Sequence, residues 1–586
     1  MRQKLFLVAI LLLLTPTLLA QTAPKEGLEK LCTIYRDATE LLDGVRSADD
    51  LPLLVDALLK TQNKYREDAE VEAALLITPA TCPNDIAREY QRALKGQQAM
   101  RDAGKRLAMG GILSSGEGAE VYSSFTEQFN LSAELDDTEL QEEGAAYESQ
   151  EDRDKRMAWW RDAKFAMFIH YGLFSALAGE VQGKEYEGCV EWIQQRSGLD
   201  SETYAEETLP IFKPRSGCAE EWVKLAKESG CKYVVLTSRH HEGFNMWDTK
   251  DYDFNVVKHT GVDVVKEYSE ACEKYDIKAG YYFSLLDWGH PDYDPTGSGI
   301  SYPEGNYIAE KEGRRTFGNH EKYKEYLYSI FCDLTENYKV DLVWWDFSQP
   351  NFQGDKAWGA TALMKRLNET HPNAIQNNRL FHSDNHISEG SIKVTPTRKG
   401  DYSTAEQHVP PTGIAGDWEA CQTLNGTWGY SATNQNWKSS ESLIRELIDA
   451  VSRGGNYLLN IGPMGDGSIP EQSVVIFKEM GEWMSINGEA IYGTRANPFD
   501  VELTWGRVTR KGDDRLYLFV YEKPDSGVIE LPCIFARAKA SVVGSGKRVK
   551  CSSDKKSGVT SFDISSLEMD SAATVIEVRG VYSHTL

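Results

Sequence analysis

Several β-prone runs in the middle of this chain stop on groups able to hold or cleave a polar ligand. KFAMFIHYG ends near His170 and Tyr171, and CKYVVLTSRHH ends on Arg239, His240 and His241, with Glu242 next. KAGYYFSLLDW carries Tyr282, then Asp287 and Trp288; VDLVWWDF ends with Trp344 and Asp346; AIQNNR ends on Arg379. A carboxylate closing a buried strand is costly unless it is hydrogen-bonded or used, so Asp346 requires a role. Two more carboxylates follow: Glu406 in the loop-like stretch GDYSTAEQHVP, and Glu419 in DWEACQTLNGTWGY. Two carboxylates facing each other across a sugar are the minimum for glycosidic cleavage, one attacking or positioning water and the other protonating the leaving oxygen. The surrounding rings suit the same ligand, because sugar C–H faces stack on aromatic surfaces.

Each group also has a plainer reading. His170 could be a satisfied core histidine, Arg379 a structural ion-pair partner and Asp346 the cap of the helix after its strand. His240 and His241 beside Glu242 resemble metal ligands. Neighbouring strand residues point to opposite faces, however, which makes paired ligation awkward. No cofactor is expected.

A common mouth for these strand ends needs a particular scaffold. The strand candidates, with NYLLNIGP, alternate with amphipathic helical stretches such as AEEWVKLAKESG, VDVVKEYSEACEKYD and SESLIRELIDAVSRGG. Strand and helix in alternation predict a parallel sheet, most simply a (β/α)8-like barrel whose C-terminal strand ends converge on one face. A doubly wound open sheet is the alternative, but no glycine-rich phosphate loop follows the first strand. The expected organisation is a barrel over 157–496, then a β-sandwich over 497–586 built from RLYLFVY, GVIELP, ASVVGS, GVTSFDI and ATVIEVRG. Residues 25–110 read as a separate helical domain. Residues 111–156, with the acidic run ELDDTELQEE, read as a linker.

Bulk properties narrow the partners. Lysine and arginine number 64 against 89 acids, a formal charge of -25. Such a surface repels phosphate backbones, so no nucleic acid partner is expected. Residues 1–20 have a basic start, an apolar run from Leu5 to Leu14 and a small residue at Ala20, the pattern of a secretory signal peptide. The expected location is therefore periplasmic, extracellular or lysosomal, with no membrane association after cleavage. Export permits disulfides; Cys32 with Cys82 and Cys533 with Cys551 are possible pairs.

AKFAMFIHYGLFS, Glu191-Trp192, LTSRHHEGFNMWDTKDYDFNVV, GYYFSLLDW, LVWWD, WEACQTLNGTWGY and GGNYLLNIGPMGDGSIP occur in one order. Together they resemble the α-L-fucosidases of glycoside hydrolase family 29, over roughly residues 157–500. The resemblance implies a barrel followed by a sandwich, and removal of terminal α-L-fucose from fucosylated oligosaccharides or glycoconjugates with retention of configuration. It places the nucleophile on Asp346 and the general acid/base on Glu406, in the family-like pattern DYSTAE. It places sugar binding on His170, Glu191, Trp192, His240, His241, Tyr282, Trp344 and Arg379. Glu419 stands as a further sugar-contacting residue and the alternative acid/base. The other readings are a retaining glycosidase for a galactose-like sugar, or a carbohydrate-binding protein without catalysis. Three positions depart from the family pattern: Tyr171 where tryptophan is usual, Phe347 where glycine follows the nucleophile, and Ala166 for a usual glycine. These bear on substrate preference more than on reaction type.

Overall fold

The computed structural model describes residues 19–47, 50–66, scattered positions from 68 to 107, 117–129, 148–293, 319–348, 352–382 and 399–584, apart from 415, 500 and 502. Most of the signal-like segment, the acidic run at 134–143 and Cys82 lie outside them. The chain forms two compact units, Met1–Tyr147 and Glu148–Leu586.

The first unit is helical. Helices α1 (Leu19–Gly44), α2 (Leu51–Tyr65) and α3 (Glu117–Gln128) contribute to one core. In α1, Leu28, Leu31, Tyr35, Ala38 and Leu42 recur at three- and four-residue steps and are all buried. Helix α3 corrects the linker reading of 111–156. Val121, Tyr122, Phe125 and Phe129 share one face, and the two phenylalanines are fully buried in this core. The glycine- and serine-rich composition of the segment concealed that spacing. The C-terminal end of the supposed linker is helical as well: α4 (Gln150–Ala163) opens the second unit, with Ser149 capping the Asp152 N–H.

In the second unit, eight parallel strands form one sheet. They are β1 (Phe165–Ile169), β2 (Tyr233–Arg239), β3 (Lys278–Ser284), β4 (Leu342–Asp346), β5 (Ile375–Gln376), β6 (Ser403–Glu406), β7 (Trp418–Gln422) and β8 (Asn456–Ile461). Their order is β5-β4-β3-β2-β1-β8-β7-β6. A parallel bridge from Asn377 to Tyr402 joins β5 to β6 and closes the barrel. Most of these strands are buried along nearly their whole length, so they read as continuous apolar runs rather than alternating ones. The predicted crossover helices are present at Cys218–Glu228, Val264–Lys274 and Ser440–Ser452.

The β5–β6 seam has little ladder to hold it, and α4 stitches it from below. Arg156 donates to both Asp401 oxygens (2.6 and 2.9 Å) and to the Ala374 carbonyl (3.1 Å). Asp401 also accepts the Gln376 N–H at 2.9 Å. Both ionic side chains are buried, and Arg156 also pairs with Glu148 at 2.6 Å, so removing Arg156, which strands the Asp401 charge, is expected to cost about 3–5 kcal/mol. Arg379 and Glu406 lie at the mouth end of this seam.

The C-terminal region is antiparallel. Strands β9 (Gly506–Lys511), β10 (Arg515–Val520), β11 (Val528–Leu531), β12 (Cys533–Phe535), β13 (Lys539–Val542), β14 (Arg548–Asp554), β15 (Val559–Asp563), β16 (Thr574–Arg579) and β17 (Tyr582–His584) form a seven-stranded sheet, β9-β10-β16-β13-β14-β15-β11, and a β12–β17 pair. They enclose a core that includes Val508, Leu516, Leu518, Phe562 and Ile576. The suggested Cys533–Cys551 disulfide is absent. Both are free thiols on strands β12 and β14, which do not pair with each other, and Cys551 Sγ contacts the Ala538 carbonyl instead.

Candidate active site

A cavity of about 320 Å³ opens at the C-terminal end of the barrel strands. It collects His170, Glu191, Trp192, His240, His241, Tyr282, Trp344, Asp346, Arg379 and Glu406, all residues singled out from sequence. Phe168, Phe347, Gln407 and Trp428 complete its lining. Phe168 was legible in principle, since it lies two residues before His170 and so on the same strand face. Trp428 comes from the loop after β7 and stacks on His170, with ring centroids 5.0 Å apart. His240 and His241 both reach the cavity, although they are neighbours and strand alternation would turn them to opposite faces. The strand ends at Arg239, so the rule no longer governs them.

Arg379 organises the two carboxylates. It sits in the short turn Asn378–Leu380 just past β5. One terminal nitrogen donates to Asp346 Oδ1 at 2.7 Å, the other to Glu406 Oε2 at 3.0 Å, and Nε donates to Thr404 Oγ1 at 2.8 Å. Its guanidinium lies 4.5 Å from the Trp344 ring centroid. The planar fork serves both carboxylates and the threonine through separate nitrogens in a fixed geometry, which the single nitrogen of a lysine could not. Asp346 also accepts from the Tyr282 hydroxyl at 2.7 Å. Both Asp346 oxygens are therefore oriented by donors. Its side chain is 17% exposed and that of Glu406 39%, so Glu406 stands nearer the mouth.

Neighbours set the histidine tautomers. Asn460 donates its amide to the Trp428 carbonyl at 2.7 Å, so its oxygen faces His170 Nδ1, also at 2.7 Å. His170 therefore carries its proton on Nδ1 and leaves Nε2 as an acceptor. The Ser284 hydroxyl donates to the Leu286 carbonyl (2.8 Å), so it accepts from His241 Nδ1 at 2.7 Å. Burial pushes His170 down to about 4, partly opposed by its bond to Asn460. Burial likewise holds His240 and His241 well below the usual imidazole range. Near neutral pH all three are uncharged, as suits an uncharged, hydroxyl-bearing ligand. Two buried atoms in the lining, His240 Nδ1 and Glu191 Oε1, have no hydrogen-bond partner among the described residues. Each such group costs about 1–3 kcal/mol.

Glu419 does not line the cavity, which corrects its expected sugar contact. It is fully buried beneath Trp344, accepting from the indole N–H at 3.1 Å and from the Tyr233 hydroxyl. Strand register sets its depth. Thr404 pairs with Glu419, and Glu406 with Cys421. Glu419 therefore lies two residues, or roughly 6.6 Å, further from the mouth than Glu406. Burial pushes it up to about 7. Glu406 itself is the last residue of β6, not part of a loop. Of the three departures from the family pattern, only Phe347 reaches the cavity. Tyr171 packs against Phe212 and Trp222, and Ala166 lies in the barrel core.

Among the described residues no group of three or more histidine, cysteine or acidic side chains is placed to hold a metal ion. What the cavity offers is three carboxyl groups, two of them joined by one guanidinium, with neutral imidazoles and aromatic walls. Known proteins share this scaffold. The α-L-fucosidase family model matches residues 133–489. Human tissue α-L-fucosidase is 32% identical over 433 residues, covering 69% of this chain and 84% of that protein. The structure of α-L-fucosidase isoenzyme 1 from Paenibacillus thiaminolyticus superposes with a TM-score of 0.65 at 32% identity, covering 73% of this chain and 99% of that one. A family 29 α-L-fucosidase from Bacteroides thetaiotaomicron, trapped as a covalent intermediate with 2-fluoro-fucosyl fluoride, superposes with a TM-score of 0.63 at 25% identity over 74% of this chain and 97% of that one. By sequence and by fold, this chain belongs to the α-L-fucosidases of glycoside hydrolase family 29.

Proposed function

We propose that this α-L-fucosidase releases terminal α-L-fucose by double displacement, with Asp346 as nucleophile and Glu406 as acid/base. The observation that carries the assignment is the Arg379 bridge, which joins two of the cavity's three carboxylates, Asp346 and Glu406, and holds them at different depths. In the first step an Asp346 oxygen bonds to the anomeric carbon while the glycosidic bond breaks. The leaving oxygen takes the Glu406 proton. In the second step Glu406 removes a proton from water, which attacks the same carbon and frees Asp346. Two inversions give net retention. Arg379 and Tyr282 orient Asp346 for attack, and Trp344 covers the apolar face that carries the C5 methyl. The imidazoles of His170 and His241 accept from sugar hydroxyls through Nε2.

The signal-like N-terminus supports export. Among the described residues no helix is long and apolar enough to cross a membrane. Substrates are then fucosylated glycans outside the cytoplasm.

The test is fucose release from an aryl α-L-fucoside, set against a panel of aryl galactosides. Asp346→Gly should lose nearly all turnover, and azide should restore part of it as the β-fucosyl azide. Near-normal hydrolysis by a folded Asp346→Gly protein would refute the assignment.

A further inference from the structure

Successive side chains of a strand point to opposite faces, so a pocket at a barrel mouth ordinarily receives every second residue. Three strand ends in this cavity break that rule: His240 and His241 both enter it just past β2, and the other two cases stand at the carboxylates. Asp346 and Phe347 are consecutive and both line it, and so do Glu406 and Gln407. In each of these last two pairs the second residue adopts left-handed backbone, with φ of +85° at Phe347 and +59° at Gln407. Among the described residues only six that are not glycine have positive φ, and two of these directly follow the two carboxylates. A bulky residue rarely adopts this conformation and is strained there, a cost met most often at binding sites.

The strained turns aim their side chains. Phe347 is half-buried, with its ring centroid 5.0 Å from His241 and 5.8 Å from Trp192, both in the lining. Gln407 is exposed. Its N–H donates to the Cys421 carbonyl at 2.9 Å, and its side-chain oxygen accepts from Thr423 Oγ1 at 3.1 Å. That oxygen is committed, so the amide presents its NH₂ as a donor. Both residues follow the last residue of their strands, β4 and β6, and so lie toward the mouth from the carboxylates.

We propose that Phe347 and Gln407 form part of a second sugar subsite, which holds the pyranose ring of the leaving group. Phe347, with Trp192, supplies an apolar wall for the C–H face of that ring. The Gln407 amide donates to one of its hydroxyls. The subsite rests on the reading of Asp346 and Glu406 as the catalytic pair. The leaving oxygen must meet Glu406, and Gln407 adjoins it on the mouth side.

The test compares α-L-fucosyl fluoride, whose leaving group cannot reach the subsite, with a panel of α-1,2-, α-1,3-, α-1,4- and α-1,6-fucosylated disaccharides. Phe347→Gly and Gln407→Gly both keep the left-handed backbone available. For the best disaccharide, the ratio of its kcat/KM to that of the fluoride should fall roughly three- to tenfold in each variant, the worth of one stacked ring or one hydrogen bond. The Phe347→Gly protein should melt no lower than the parent, because the backbone strain is released. Ratios unchanged within twofold, or a parent that cleaves the fluoride and none of the disaccharides, would overturn the subsite. A parent inactive on the fluoride as well would instead overturn the catalytic reading beneath it.

Discussion

Replacing Glu419 by glutamine should change how stability depends on pH, and in a fixed direction. The carboxyl is fully buried between the Tyr233 hydroxyl and the Trp344 indole. Burial raises it to about 7, while those two bonds and Arg379 pull the other way; its ordinary value is 4.5. The folded protein therefore keeps a proton there that the unfolded chain releases between those values. A group raised on folding contributes stability that is fully present below its unfolded value and lost as pH rises through its folded one. The gap is about 2.5 units, and at about 1.4 kcal/mol per unit the loss is on the order of 3 kcal/mol. Glutamine can accept from Trp344 and donate to Tyr233, and it does not titrate. The stability of the parent minus that of Glu419→Gln should thus decline as pH rises from about 4.5 to about 8. Calorimetric Tm values for both proteins at half-unit steps provide the measurement, since every other group titrates equally in the pair. A difference that stays flat or grows with pH would refute the reasoning. The same variant should cleave good and poor leaving groups in the parent's proportion, because Glu419 lies below the floor of the cavity. A selective loss on poor leaving groups would return the acid/base role to Glu419.

Three further outcomes are expected. Glu406→Ala should slow cleavage of oligosaccharides by about 10²–10⁴-fold while largely sparing dinitrophenyl or fluoride leaving groups, and azide should yield the α-fucosyl azide; equal slowing of all substrates would count against it. Activity should survive exhaustive EDTA treatment, because the two-carboxylate mechanism needs no metal; loss that zinc or calcium reverses would refute this. A chain beginning at Glu148, which contains every residue of the cavity, should be soluble and should hydrolyse an aryl fucoside; aggregation or inactivity would show that the helical unit is required.

The parts of this fold that could be read from sequence are those where one physical rule acts alone. A parallel strand buried on both faces must be apolar, so β8 stands out as an apolar run, and β1, β2, β3 and β4 as runs that stop on polar groups. Strand β6 has only four residues, Ser403–Glu406, three of them polar, and it passes for a loop. Strand β7, WEACQ, is fully buried yet carries a glutamate and a glutamine that mask it. Missing these two strands left the relation of Glu406 to Glu419 open. A separation of 13 residues says nothing about depth, whereas the pairing of Thr404 with Glu419 places one carboxylate at the mouth and the other beneath Trp344. Alternation within a strand tells which face a residue occupies; only register between strands tells how far down it sits. Phe347 and Gln407 show the opposite failure. Alternation, correctly applied, would turn them away from the cavity, and what brings them into it is a left-handed backbone that neither side chain favours. A sequence rule built on favoured conformations cannot find residues placed by an unfavourable one. Both such residues stand immediately after a proposed catalytic carboxylate, which is where a binding site has the most to gain from that cost.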